Sequence, residues 1–493
     1  MSLVKDTAVY GLSSIVGRFL NYLLVPLYTA VLPAESGGYG VVSNVYAYTA
    51  LILVFLTFGM ETGFFRYANK PEENPVKVFS NVAFFVGGLA SLFVVLGLVF
   101  LNPVSAFLGY PGHRDYVGMM MVTVAVDSFL CIPFAWLRYR RRAVKFASVK
   151  LFNIAGSIVL NLFFLLLCPL LHAHAPSSVS WFYNPDYTVG YIFVSNLVMS
   201  AVQALFFIPE LRLLSLRPDF DLQKRMLCYS FPVLVFGVVG ILNQTVDKMI
   251  FPFLYEDRQE GLVQLGIYSA ASKVAMVMTM FTQAFRYAYE PFVFGSGGRK
   301  DSASSYASVM KYFLIFSLLA FLAVMFYMDI LKYMVSPGYW EGLGVVAIVM
   351  GAEMLKGIYF NLSFWYKLTD ETRWGAYFSL IGCAVILVLN VSLVPRYGYV
   401  ASAWASVAGY GIITVLSYFV GHRKYPVDYP LKDMFVYLVL ATVLYAISIY
   451  VCPGNTVLRI VFRTLLLSLF VARVIRKDLP LGSIPFINRF MKK

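Results

Sequence analysis

The sequence predicts an all-α integral membrane protein of about 14 transmembrane helices, arranged as two six-helix pseudo-repeated lobes around a central cavity plus two terminal helices. Three observations carry that expectation. The 493 residues are 60% hydrophobic and 13% charged, where a soluble domain has roughly 25% charged residues, and mean hydropathy is +0.74. Apolar runs of spanning length recur along the whole chain. The lysines and arginines between those runs rise and fall in density from loop to loop.

The first run, 9–32, sets the pattern. It is long enough to cross a bilayer, yet it carries Arg18 near its middle, then Asn21 and Pro26. A central arginine facing lipid costs at least roughly 3 kcal/mol, so this helix is expected to face something else. Runs at 39–67, 78–101, 116–137, 146–171 and 189–208 complete a first lobe over 1–225. The second lobe, 226–425, holds runs at 226–254, 264–291, 306–330, 342–366, 374–394 and 399–421. Two more, 434–451 and 457–475, precede a basic tail within 426–493. The second and eighth runs exceed what a bilayer needs, which implies tilt or projection beyond it. The halves look related. Gly11 and Pro26 lie 15 apart, as do Gly237 and Pro252, and Gly38-Tyr39 has its counterpart in Gly266-Ile267-Tyr268.

With the N-terminus in the cytoplasm, 28 of the 39 Lys and Arg residues fall in cytoplasmic segments, 5 outside and 6 within spans. That bias predicts cytoplasmic termini at both ends. The net charge of +14 is then a topology signal rather than a nucleic-acid footprint, because no segment between spans is large enough for a binding domain. The longest external loop, 172–188, has two of the four histidines but neither lysine nor arginine. The run RYRRRAVK from Arg138 reads as an orientation signal and an anchor to anionic membrane lipids. Five scattered cysteines without CxxC spacing read as packing residues, not disulfides or metal ligands. The polar-interrupted first run reads as a retained helix, not a cleaved signal.

Eleven charged residues are expected within the membrane itself: Arg18, Lys248, Lys273, Arg286, Lys356 and Arg463, with Glu61, Asp127, Asp247, Glu290 and Glu353. Facing lipid, they would cost on the order of 30 kcal/mol together. Arg463, Arg286, Glu61 and Glu290 sit near span ends and are expected to snorkel. Glu353 and Lys356 share a helix face at i, i+3, where they either pair or line a cavity. Asp127 and Glu353 lie 226 apart, the same offset as Gly11 to Gly237 and Pro26 to Pro252. Two mid-membrane carboxylates in matching places suit ion coupling, with Asp247 as a third candidate. The chain has no GxxxxGK[ST], HExxH or GxSxG motif, so no enzyme and no cofactor are expected, and an H⁺ or Na⁺ gradient is the expected drive.

Several short motifs give the chain a family resemblance: Asp6-Thr7 leading to Gly17-Arg18, Leu32-Pro33, Gly38-Tyr39-Gly40, Phe65-Arg66-Tyr67, and Leu265-Gly266-Ile267-Tyr268 followed by Lys273. With these the chain resembles the multidrug/oligosaccharidyl-lipid/polysaccharide (MOP) superfamily, and within it the Wzx-type polysaccharide and O-antigen flippases. The resemblance implies export of an undecaprenyl-diphosphate-linked oligosaccharide across a bacterial inner membrane. That cargo would feed O-antigen, capsule or exopolysaccharide assembly, with a polysaccharide polymerase and assembly proteins as partners. A buried diphosphate needs fixed cations, which Arg18, Lys248, Lys273 and Lys356 would supply. Asn21 would bond the sugar. A lipid II (peptidoglycan precursor) flippase, a multidrug/cation antiporter of the same superfamily, and a membrane glycan polymerase or ligase remain alternatives.

Overall fold

The computed structural model describes residues 16–17, 19–215, 218–295, 302–369, 371–451 and 454–478, except the side chains of 287, 288, 290–295, 302 and 303. Among the described residues all regular structure is helical. Ten helices are long and apolar enough to cross a membrane, or eleven if one bent pair is a single span. The expected count of 14 is not reached by that criterion, and individual elements show why.

Helix α1 (Leu24–Val31) is the end of the first run, most of whose start lies outside the described residues. α2 (Gly38–Thr57) and α3 (Met60–Ala68) make one crossing. Phe58 and Gly59 between them sit at φ 50° and 66°, a left-handed break that absorbs the excess length of the second run. α4 (Pro75–Val99) starts where Asn74 accepts the Val76 N–H at 2.9 Å, with proline at its first position. α5 (Arg114–Tyr139), α6 (Ala143–Leu162, continued by a π-helical turn) and α7 (Thr188–Leu205) follow. α8 (Phe220–Ile250) opens at Asp219, which accepts the N–H groups of Asp221 and Leu222 at 3.0 Å and pairs with Lys77 at 2.6 Å. The Leu222 N–H and the Lys77 ammonium hold that carboxyl down at about 2.

α9 (Arg258–Val274) and α10 (Met276–Gly295) form the bent pair, with a 47° bend where they meet. The eighth run is thus broken as well as long. α11 (Ser302–Phe326) and α12 (Val346–Leu362) lead to α13 (Arg373–Lys424), a 52-residue stretch covering two expected runs. Gly398, at φ 60° and ψ −150°, marks where its two helices meet. α14 (Leu431–Tyr450) and α15 (Thr456–Lys477) end the described chain. Arg459, Arg463 and Arg473 make α15 too charged for the apolar criterion.

Two compact units result. One comprises Met1–Ser269 with Asn390–Arg396, the other Ala270–Leu389 with Tyr397–Lys493. In the first, α5 is the central helix, with 61% of its apolar window buried. Phe64, Phe79, Ile132 and Trp136 pack there, Phe79 stacking on Trp136 at 4.8 Å. α8 packs along α2 and α3 within this unit. The Tyr67 hydroxyl donates to the Arg225 carbonyl at 3.1 Å, and Arg66 lies 4.1 Å over the Tyr229 ring. In the second unit α11 is the central helix, half of its window buried, and packs Leu318, Leu322 and Phe326 against Tyr437 of α14 and Phe470 of α15. The outer helices α4 and α14 leave Leu92, Val95, Phe435 and Val439 exposed, the apolar faces expected toward lipid.

The tightest approach in the first unit is α2 against α9. A Cβ on Gly40 would lie 1.9 Å from the Leu262 carbonyl oxygen, whereas one on Gly88 would meet nothing within 4 Å. Gly40→Ala is expected to cost about 1–3 kcal/mol or more through overpacking, and Gly88→Ala close to nothing. Thermal unfolding of the two variants in detergent checks the contrast; equal melting temperatures would contradict the packing.

Candidate functional site

Apolar helices bring polar clusters into the membrane region of each unit. In the first unit Asp127 on α5 accepts the Ser200 hydroxyl of α7 at 2.7 Å. One turn back on α7, Asn196 donates to the Tyr46 hydroxyl of α2 and to the Ile192 carbonyl. On α6, Ser157 reaches Asn196 at 3.5 Å, and the buried Asn161 accepts the Tyr28 hydroxyl of α1 at 3.1 Å. Five helices therefore contribute to one polar seam. Lipid cannot satisfy such groups, so they pair within the protein.

The end of α8 is built differently. Pro252 has no N–H to give the Lys248 carbonyl four residues back. Buried Asn44 of α2 supplies the missing donor, bonding the Lys248 carbonyl at 2.7 Å and the Met249 carbonyl at 3.2 Å. Tyr48 donates to the Met249 carbonyl at 3.0 Å, and Tyr110 donates to the Asn44 side-chain oxygen at 2.8 Å. Burial pushes the Tyr110 hydroxyl well above the usual phenol range. Asp247, also buried, accepts the Tyr268 hydroxyl. Lys248 is half-buried. Apart from the pull of neighbouring Asp247, its ammonium has no hydrogen bond or ion pair among the described residues.

In the second unit Glu353 and Lys356, one turn apart on α12, form a 2.5 Å ion pair. Thr279 of α10 donates to the other Glu353 oxygen at 2.8 Å, and the Lys356 ammonium lies 5.7 Å from the Tyr410 ring centroid. Both charges are thus answered within the unit. Of the two sequence readings for this pair, the structure shows pairing.

The remaining sequence candidates divide. Arg18 lies outside the described residues, Asn21 is exposed, and Lys273 is half-buried in the last turn of α9. Two residues expected to snorkel are paired instead. Arg463 and Arg459 share Asp329 at 2.9 and 2.6 Å, and Glu61 pairs with Arg138. Arg286 sits 5.5 Å from the Phe360 ring, and the Glu290 side chain lies outside the described residues. Within the basic run, Lys145 neutralises the buried Glu210 at 2.7 Å, so part of that run serves the interior. Sequence reasoning missed Asn44 and the seam of Asn161, Ser157, Asn196 and Ser200. The signal was present: Asn153, Ser157 and Asn161, like Asn196 and Ser200, recur every four residues and mark one polar face of an apolar helix.

These features define a multi-pass helical membrane protein with polar groups gathered inside each unit. A family model described as "Polysaccharide biosynthesis protein" matches residues 3–288, more than half of the chain. The chain belongs to that family, within the MOP superfamily. An uncharacterized membrane protein of Haemophilus influenzae is 19% identical over 282 residues, covering 54% of this chain and 68% of that protein. Among solved structures, the lipid II flippase MurJ in an inward closed conformation matches with a TM-score of 0.71 and 16% identity, covering 96% of this chain and 99% of that one. An inward-facing multidrug resistance MATE family transporter of the MOP superfamily matches at 0.61 and 12% identity, over 82% and 93% of the two chains. A MOP superfamily transporter from Pyrococcus furiosus matches at 0.54 and 13% identity, over 85% and 95%. At these identities the structural matches show a shared fold.

The two lysines should respond oppositely to the same change. Lys356→Met strands a largely buried carboxylate and is expected to cost about 3–5 kcal/mol of stability, much of it restored by adding Glu353→Gln. Lys248→Met leaves no ion pair broken and should unfold within a degree or two of wild type. Melting curves of all three variants in one detergent decide between these roles.

Proposed function

We propose that the chain is a Wzx-type flippase, carrying an undecaprenyl-diphosphate-linked oligosaccharide from the inner to the outer leaflet of a bacterial inner membrane by alternating access. The observation that carries this reading is membership of the polysaccharide biosynthesis family in a chain with a transporter fold. Lys248 adds support, as a half-buried cation in an apolar helix with its ammonium open to an anion. Arg18, Lys248 and Lys273, with Asn21 nearby, are the groups proposed to hold the diphosphate and first sugar. Lys356 is a weaker candidate because Glu353 already neutralises it. The moving bodies are proposed to be the lobes 1–225 and 226–425, with 426–493 as accessory helices. Both termini are placed in the cytoplasm. Delivery to the outer leaflet would hand the cargo to a polysaccharide polymerase and its assembly proteins.

Energy would come from an H⁺ or Na⁺ gradient. Asp127 is the favoured coupling group, since its hydrogen-bond partner is a neutral hydroxyl that leaves the carboxylate free to exchange a cation. Asp247 and Glu353 are the other candidates, and Glu353 is the least available of the three. The lipid II flippase is the alternative reading, favoured by the fold match to MurJ.

Deletion of the gene in its host tests the proposal. Surface polysaccharide should vanish while lipid-linked repeat units accumulate on the cytoplasmic leaflet, and Lys248→Met should restore export about 10–100-fold less well than wild type, as expected for losing a charged hydrogen bond of roughly 1.5–3 kcal/mol. Accumulated lipid II with intact surface glycan would favour the alternative instead. The orientation is checked separately by cysteine labelling at Ser177: an impermeant maleimide should reach it in intact spheroplasts, and protection there would reverse the topology.

A further inference from the structure

The first unit carries a second polar feature that transport chemistry in the membrane does not use. Between the loop after α1, the turn before α5, the start of α7 and the start of α9 lies a cavity of about 560 Å³. That volume falls within the roughly 300–1,000 Å³ range of small-molecule sites. Every one of those connections falls on the side that the charge bias places outside the cell.

Its walls combine flat rings with both hydrogen-bonding polarities. The exposed His113 ring lies flat on Tyr116, centroids 4.5 Å apart and planes within 4°. Arg258 is fixed in place: it donates to the Leu108 carbonyl and lies over the rings of Phe253 at 4.3 Å and Tyr110 at 5.1 Å. Its buried Nε–H has no hydrogen-bond partner among the described residues. Gln259 spends its amide N–H on the Ser36 carbonyl at 2.8 Å. Asp186 adds an exposed carboxylate acceptor to the same cavity.

We infer that this cavity is an outward-side carbohydrate subsite that holds one or two sugar residues of the cargo; the inference rests on the flippase reading. A pyranose has a flat C–H face that packs on an aromatic ring and a rim of hydroxyls that donate and accept at once. Stacked rings, a pinned guanidinium, a carboxylate and an amide answer both requirements. An acyl chain would leave the charges unsolvated, and a diphosphate would meet the negative Asp186. The class of ligand that fits is therefore a neutral sugar. Bound there, the glycan would be held on the outer side while its lipid-linked end is still within the membrane, which opposes return.

Saturation-transfer NMR on the full-length protein in nanodiscs tests this. The probe is lipid-free oligosaccharide of repeat length, cut from the host's own surface polysaccharide. Gly112 lines the cavity, and a Cβ there meets nothing within 4 Å, so Gly112→Trp starts its side chain in open space and is expected to fill the cavity. Wild type should transfer saturation to sugar-ring protons. Gly112→Trp and His113→Ala should lose about 1.4 kcal/mol of binding, a tenfold weaker Kd, and Gly88→Ala, whose added Cβ meets nothing within 4 Å, should bind as wild type. No transfer in wild type, or equal transfer in wild type and Gly112→Trp, overturns the subsite. The two readings separate cleanly. Glycan binding that depends on Gly112 in a protein that moves no lipid-linked glycan removes the flippase and keeps the subsite; normal flipping with unaltered binding in Gly112→Trp does the reverse.

Discussion

The hydrogen bond from Asn44 to the Lys248 carbonyl fixes more of the first unit than its size suggests. Hydrocarbon offers no donor to a carbonyl left open by proline, and an unmet group there costs several kcal/mol. Asn44 meets it from a different helix, so the end of α8 cannot move without α2. Tyr110 holds the other end of the Asn44 amide, and Arg258 lies over Tyr110. One chain of contacts thus runs from the helix bearing Asp247 and Lys248 to the cavity lined by Tyr110 and Arg258. Gly40 permits it, because only a residue without Cβ lets α2 approach the Leu262 backbone so closely.

The same constraint sorts the charges. Those that pair within their unit, such as Glu353 with Lys356 and Asp329 with Arg459 and Arg463, have their desolvation offset locally. Lys248 does not pair in this way, and Asp127 meets only a hydroxyl. A charge kept half-buried and open is costly to maintain, which is why such groups mark transport paths. The division between paired and open charges is the basis on which Lys248 and Asp127 are proposed as functional and the paired groups as structural.

Much of the fold was legible because hydropathy reports span length directly. Boundaries such as 116–137 against Arg114–Tyr139 agree closely, since a buried apolar helix has charged residues at both ends. The breaks were less legible. Excess length in the second and eighth runs was visible, but a left-handed Phe58 leaves no compositional trace, and the bend between α9 and α10 has no proline to announce it. Within the candidate site, charged residues stood out and neutral amides did not. Asn44 was recoverable by asking which donor replaces the missing N–H of Pro252, and Asn161 by its four-residue spacing from Ser157. Pairing of Glu61 and Arg463 was not recoverable, because their partners come from other helices and sequence spacing carries no such information.

The account proposes a membrane transporter that offers the open ammonium of Lys248 to a lipid-linked anion and the cavity beside Arg258 to its sugars. Its central claim is selectivity for that cargo. The most direct measurement is flipping by the purified protein in liposomes, comparing undecaprenyl-diphosphate-linked repeat units with lipid II and following the outer leaflet with a membrane-impermeant glycan-modifying enzyme. The account predicts movement of the repeat unit, dependent on an imposed H⁺ or Na⁺ gradient and sharply reduced in Lys248→Met. Movement of lipid II alone, or equal rates for wild type and Lys248→Met, would contradict it.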